Sequence, residues 1–263
     1  MRLFFELGSL SFRRQLAYRA AAVAGLLTNL FFGVLRAAVL VALYGARQEV
    51  AGISVHGAIT FTGLSQATIG FLSLFSWYDL LNSVYNGSVS TDLLKPMAYY
   101  QYWLAQDFGR AMAQLLLRGL PLMIAYAFLF DISVPENGYR WLAVICAVLL
   151  AWLVSFSWRF LINLASFWVP NALGIARFAF IVSWFLSGFM MPLRYFPDWF
   201  SRICMLTPFP YTINTIIEVY LGILTGKDLL LGLFYQGIWA AILFVLGQWV
   251  LRLGIRRLEI LGG

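Results

Sequence analysis

Residues 20–44 read AAAVAGLLTNLFFGVLRAAVLVALY, and this stretch decides the class of fold. A helix of ~20 apolar residues rises roughly 30 Å, the thickness of a bilayer's hydrocarbon core. Comparable runs follow over 58–78, 108–130, 141–164, 173–191 and 229–251. The reading is an all-α integral membrane protein, a single transmembrane domain with six spans. Composition agrees, since the 263 residues are 62% hydrophobic and 11% charged, whereas soluble chains carry about 25% charged residues. The spans leave no segment for a soluble catalytic domain of ~100 residues.

Outside the runs, charge collects at the ends and in the loops. Lys and Arg number 18 against 11 Asp and Glu, a net charge of +7. In a membrane protein such an excess reports topology. A nucleic-acid partner is not expected, because no basic stripe with interleaved aromatics stands clear of the runs. Arg2, Arg13, Arg14 and Arg19 precede the first span, and Arg252, Arg256 and Arg257 follow the last. An even number of spans returns the chain to its starting side. Both termini are therefore expected in the cytoplasm, with the chain in the inner (plasma) membrane. The loop 79–107 is then cytoplasmic too, although its own charge, Lys95 and Arg110 against Asp79, Asp92 and Asp107, does not argue for that side.

Residues 3–19 place Glu6, Ser9 and Arg13 in one polar stripe among Phe4, Phe5, Leu7, Leu10, Phe12 and Leu16. That pattern predicts an amphipathic helix in the headgroup plane among membrane lipids; the alternative is that it continues the first span. No cleavable signal peptide is expected there, since no small-residue cleavage pattern follows a short apolar core. Cys146 and Cys204 are far apart and lack metal-ligand spacing.

Two connections are long: 79–107, inside, and 192–228, outside. Loops beyond about fifteen residues are usually functional or disordered, and these two are rich in Trp, Tyr, Phe and Leu. In the first, Gly87 breaks a helix, Ser90 or Thr91 can cap the next, Asp92 suits its first turn and Pro96 ends or kinks it. Leu93 and Leu94 give it an apolar edge. Such a helix is either a lever on which a soluble partner docks or an interfacial loop that anchors itself. In the second, Gly188 and Pro192 break the fifth span near the outer surface. Pro197 suits the first position of a new helix, in which Trp199, Phe200, Ile203 and Leu206 recur at helical spacing. Half-length apolar helices read as re-entrant or interfacial; a plain aromatic belt is the alternative.

Taken in order, these features resemble the permease subunit of an ABC-2-type exporter: six spans with both ends inside, an amphipathic leading helix, Gly87 followed by Asp92-Leu-Leu-Lys-Pro96, Ser187-Gly-x-x-x-Pro192 leading to Phe196-Pro-Asp-Trp-Phe200 and Thr207-Pro208, and the tail Arg257-Leu-Glu-Ile-Leu-Gly-Gly263. The closest pattern is the poorly characterised branch in which paired permeases often share one ATPase. The resemblance implies a coupling helix at Ser90, Thr91, Asp92, Leu93, Leu94, Lys95 and Pro96 that docks on a nucleotide-binding ATPase subunit. It implies an external gate of re-entrant helices around Gly188, Pro192, Pro197, Trp199 and Phe200. It also implies a second permease, the same chain or a related one, and outward transport.

This chain is expected to hold no cofactor, ATP and Mg belonging to the partner. A phosphate-binding loop needs G-x-x-x-x-G-K-[ST]. The near match Gly222-Ile-Leu-Thr-Gly226-Lys227-Asp228 is one residue short and carries Asp where Ser or Thr must reach the metal, so it reads as a helix end and turn. His56, the lone histidine, sits in the first external loop, and neither catalytic nor metal residues are expected.

Four arginines fall within runs. Arg159 and Arg177 lie near cytoplasmic ends and can snorkel to headgroups. Arg36 and Arg118 are deeper, where an arginine costs roughly 2.5–3.5 kcal/mol on insertion scales, and no acid lies deep in any span to pair with them. Facing a substrate pathway, they would favour an anionic guest; otherwise they bond backbone carbonyls or a partner subunit. Asn29, Gln66 and Asn163 suit interhelical hydrogen bonds, and Ala38 and Ala42 have the spacing of a close helix contact. The function expected is the permease subunit of an ATP-driven exporter of a hydrophobic or amphipathic substrate. A secondary transporter or channel without an ATPase is the alternative, disfavoured by the lack of deep acids and repeats. A lipid-modifying membrane enzyme lacks a polar catalytic cluster.

Overall fold

In the computed structural model, which describes residues 2–169 and 171–257, almost the whole chain is helical. Helix α1 (Arg2–Ala17) is separated by Tyr18 from α2 (Arg19–Tyr44). A two-stranded hairpin, β1 (Glu49–Val50) and β2 (Ile53–Ser54), turns the chain into α3 (Val55–Leu72). Short helices α4 (Asp79–Tyr85) and α5 (Val89–Leu93) precede α6 (Tyr99–Gln114), which runs through a π-helical turn at Leu115–Gly119 into α7 (Leu120–Leu129). Then come α8 (Gly138–Asn163), α9 (Leu173–Leu186), α10 (Asp198–Met205), α11 (Asn214–Tyr220) and α12 (Gly226–Ile255). Among the described residues, four rods are long and apolar enough to cross a bilayer: α2, α6 with α7, α8 with the 3₁₀ turn that follows it, and α12.

Helix α3 is the axis. Fourteen of its residues are buried, against α2, α6, α7, α8 and α11. A helix enclosed by protein needs no lipid-facing stripe, so it tolerates Thr60, Thr62, Ser65 and Thr68. Each of these hydroxyls donates to a carbonyl three or four residues earlier, which satisfies it without a partner helix. Around α3 lies one core of Phe61, Phe71, Trp152, Ile213, Ile216 and Ile217. A second, aromatic core of Trp77, Tyr100, Trp103, Phe156 and Phe160 sits beneath α4 and α5.

The helices depart from the hydropathy runs at identifiable places. The rod that begins span three starts at Tyr99, not at 108, because its first turns bury tyrosines and tryptophans in protein and need no apolar run. Helix α3 stops at Leu72, short of 78, where the Ser155 hydroxyl takes up the free Leu72 carbonyl at 2.8 Å. Helix α9 stops at Leu186, short of 191, and its 14 residues make it shorter than the other rods. His56 stands in the first turn of α3 and not in the preceding loop. Ala38 and Ala42 are exposed; the close approach on α2 is made instead at Gly33, whose bare backbone admits the Tyr126 hydroxyl. The tail from 258 onward lies outside the described residues.

Helix α1 carries its polar stripe outward, with Glu6, Ser9 and Arg13 exposed. Its other side lies on α6 at backbone contact, where Gly8 meets Gly109. The Ser11 hydroxyl donates to the Gln106 carbonyl at 2.7 Å, and Gln114 Nε2 donates to Gln15 Oε1 at 3.0 Å.

Candidate functional site

Between α2, α3, α6, the π turn and the chain just after α9 lies a cavity of about 790 Å³. Its lining combines the apolar side chains of Phe32, Phe75, Trp184 and Phe189 with the cations Arg36, Arg110 and Arg118. No Asp or Glu lines it. The two arginines expected to face a pathway are therefore brought to one space, and a third joins them.

Local sequence explains each placement. Pro121 sits in the first turn of α7. It cannot donate to the carbonyl four residues back, and its ring crowds that carbonyl. The helix accommodates it with the π turn Leu115–Gly119, a device common at functional sites. That turn delivers Arg118 against α2, where only a glycine, Gly25, leaves room for the guanidinium. Arg118 Nη2 donates to the Ala21 carbonyl at 2.8 Å, while its buried Nε–H has no acceptor. Arg36 Nη1 donates to Ser65 Oγ at 3.0 Å. Its Nη2 donates to the carbonyls of Phe189 and of Met190 (2.7 Å for the latter), and the guanidinium lies over the Phe189 ring. Those carbonyls are free because Gly188, at φ +77°, turns the chain after α9. Arg36 thus bonds carbonyls and lines the cavity at once; both readings of the sequence apply to the same side chain.

Arg110 connects the cavity to a buried ionic cluster. It donates to Asp107 Oδ1 at 2.9 Å and to the carbonyls of Gly70 and Phe71 at 2.7 and 3.1 Å. Asp107 in turn is gripped by both Nη atoms of Arg159, each at 2.8 Å, and by the Trp152 indole at 2.8 Å. The expectation that Arg159 snorkels is corrected: it is 1% exposed and paired with a fully buried carboxylate. The expectation that no acid lies deep is corrected with it. The nine-residue shift in the start of the third rod carries Asp107 inside. Arg177 is exposed, consistent with snorkelling.

The cluster reaches the short helices through Asn163, whose Nδ2 donates to the carbonyls of Arg159 (2.8 Å) and Trp77 (2.9 Å) and whose Oδ1 accepts from the Leu81 amide at 3.1 Å. Asn29 makes the interhelical bond expected of it, to the Gln66 carbonyl at 3.4 Å. On α5 the helix opens at Val89, so Ser90 and Thr91 lie inside it and do not cap it; their hydroxyls turn back to the carbonyls of Gly87 and Ser88. Asp92 is buried, accepting from Ser83 Oγ and Lys95 Nζ, each at 2.5 Å. Lys95 Nζ lies 3.7 Å from the Tyr102 ring centroid. Burial works against its charge, but Asp92 and Tyr102 outweigh it and raise the ammonium pKa above the ordinary lysine value. Leu93 and Leu94 part company: Leu93 packs on the aromatic core, while Leu94 is 85% exposed beside exposed Thr91 and Pro96.

On the far side, Pro192 leads a 3₁₀ turn and Pro197 immediately precedes α10, so Asp198 and not Pro197 opens that helix. Asn214 Oδ1 accepts from the Leu193 amide at 3.3 Å, and Arg194 pairs with Glu218 at 2.6 Å. Trp199, Ile203 and Leu206 point outward from α10, Phe200 packs on Phe185 and Phe196, and all of α11 is buried. Gly226 opens α12 after the turn at Gly222, and Asp228 stands in its first turn. The residues missed by sequence reasoning are Arg110, Asp107, Gln114 and Trp184. The i, i+3 spacing of Asp107 and Arg110 was a signal for the first two.

A multi-pass bundle with an arginine-bearing, largely apolar cavity beside its central helix suits a membrane transport component. A family model described as ABC-2 family transporter protein matches residues 30–262, and the chain belongs to that family. It is a permease component of an ABC transporter and not itself the catalytic subunit. No curated protein matches the sequence.

Proposed function

We propose that this chain is the permease subunit of an ATP-driven exporter in the inner membrane. It moves a hydrophobic or amphipathic, anionic guest outward through the cavity of Arg36, Arg110 and Arg118. Six segments cross the bilayer, α3 and α9 among them, with both termini and the α4–α5 segment in the cytoplasm and α10–α11 re-entering from outside. Helix α1 lies at the headgroups. A separate nucleotide-binding subunit, holding the ATP and Mg, docks on α5, and a second permease completes the pathway.

The observation that carries this reading is Leu94. A leucine held 85% exposed on a five-residue helix, above a core that absorbs its neighbour Leu93, needs an apolar partner. A push delivered there is transmitted inward. Asn163 ties the backbone around α4 to α8, Arg159 ties α8 to Asp107 on α6, and Arg110 carries the same cluster to the cavity wall. On the other side, Arg36 holds the turn around Gly188, where the outer segment begins. Residues Gly188, Pro192, Pro197, Trp199 and Phe200 act there as the external gate.

The test is affinity purification in mild detergent. An ATPase should co-purify with the wild-type chain and be lost with Leu94→Asp, while the variant itself remains folded. Leu93→Asp should instead lower the yield of folded protein, because it places a charge in the aromatic core. A chain that transports without any ATPase would overturn the reading in favour of a secondary transporter or channel.

A further inference from the structure

The cavity's cations are not equivalent, and their differences name a ligand. A guanidinium has five N–H donors. Arg36 spends its Nη groups on Ser65 and two carbonyls, and Arg110 bonds through all three nitrogens to Asp107 and two carbonyls. Arg118 spends one donor, on Ala21, and keeps a buried Nε–H without an acceptor. Among the described residues neither Arg36 nor Arg118 meets a carboxylate. The capacity to bind an anion is therefore concentrated at Arg118.

Depth can be read along α3. Arg110 bonds the Gly70 carbonyl, and Arg118 packs over Gly25, one helical turn from Asn29, which itself meets Gln66. Arg118 thus reaches the cavity near the level of Gly70, at the end of α3 that leads to α4. Arg36 bonds Ser65, five residues away, which is roughly 7–8 Å along a helix. Aromatic side chains, Phe32, Trp184 and Phe189, line the same cavity, with the Arg36 guanidinium over the Phe189 ring.

We infer that the cavity binds a lipid whose headgroup is a phosphate monoester. Arg118 is the loading station for the phosphate, the aromatic side chains take the chain, and Arg36 is the next station outward. A phosphate monoester carries about −1.5 to −2 charges at neutral pH and offers three acceptor oxygens. That suits Arg118, most of whose donors are unspent, with Arg36 the other cavity cation that meets no carboxylate among the described residues, and the planar donor fork of arginine matches it. A volume of 790 Å³ admits a drug-sized guest, a headgroup with part of one chain, and not a folded polymer. The inference rests on the reading of the cavity as a transport pathway.

Equilibrium binding to the full chain, purified in detergent with its partners, tests it with three probes: a short-chain lysophosphatidic acid, the monoacylglycerol of the same chain, and inorganic phosphate. The phospholipid should bind about tenfold or more tightly than either of the others, because it alone offers both acceptors for Arg118 and a chain for the aromatic lining. Arg118→Gln should remove that preference and leave monoacylglycerol binding unchanged. Arg118→Lys, which keeps the charge, should retain part of it, and it stands in if the Gln variant misfolds. Arg36→Gln should weaken phospholipid binding less than Arg118→Gln does, since loading occurs below it. Equal binding of the phospholipid and the monoacylglycerol would overturn the inference, as would phosphate binding as tightly as the phospholipid, which would mark a free-anion site. Unchanged phospholipid binding in both Arg118 variants would overturn it too. Failure of phospholipid binding in a complex that keeps its Leu94-dependent ATPase would sink the ligand and spare the permease. Phospholipid binding without any ATPase would do the reverse.

Discussion

At the scale of single residues, this chain spends its charges in two ways. Asp107 and Arg159 are buried and satisfied: every oxygen of the carboxylate has a donor, and the pair joins α6 to α8. Replacing Asp107 with Ala leaves Arg159 charged in the core, and such a loss costs about 3–5 kcal/mol. The expected outcome is a large fall in thermal stability in detergent, partly restored by combining it with Arg159→Met. Arg36 is spent differently, on the lining of the cavity that we propose as the pathway. Arg36→Gln should lower transport by reconstituted complex about tenfold or more while the subunits still assemble, since its neutral amide can keep a hydrogen bond but not the charge. Export at the wild-type rate would remove Arg36 from the route. The sequence showed that Arg36 and Arg118 were unusual, because an arginine in an apolar run is conspicuous. It did not show the partner of Arg159, because Asp107 is 52 residues away and lies outside the run.

At the scale of elements, glycines set how closely helices approach. Gly109 faces the Gly8 backbone, so a methyl group there meets peptide atoms that cannot move aside. Gly109→Ala should displace α1 from α6 and lower the melting temperature. Gly237, on α12, has open space around its Cα. Gly237→Ala should raise stability by up to about 1 kcal/mol, the ordinary gain within a helix. Thermal unfolding of the two variants side by side checks the pair. The break at Gly188, the α10 segment after Pro197 and the amphipathic α1 were all legible, because turn formers and helical periodicity are local signals. The π turn was not, although Pro121 announces it in retrospect: a proline's effect on helix register depends on whether the helix is held on both sides.

At the scale of the whole molecule, the topology turns on the two rods that are weakest by hydropathy or length, α3 and α9. If both cross, Leu94 and Leu206 lie on opposite faces of the membrane. With Cys146 and Cys204 replaced by Ala, a cysteine at Leu206 should react with a membrane-impermeant maleimide applied outside cells, and one at Leu94 only after lysis. Reaction of both on the same side would remove α9 as a span, and with it the outer location of α10 and α11. Both side chains are exposed on the chain itself, and a second maleimide treatment after denaturation gives the reference for full reaction at each.

The sequence by itself determined that this is a helical membrane protein and where its main rods run, because the exclusion of water from a bilayer forces long apolar stretches on any chain that crosses it. It also marked the two long connections that fold into short helices of their own. Only the tertiary structure decided which polar groups are ballast and which are free to act. Whether an arginine is neutralised depends on distances across helices that no local pattern encodes. Packing around α3 placed Asp107 on Arg159 and left Arg118 facing open space.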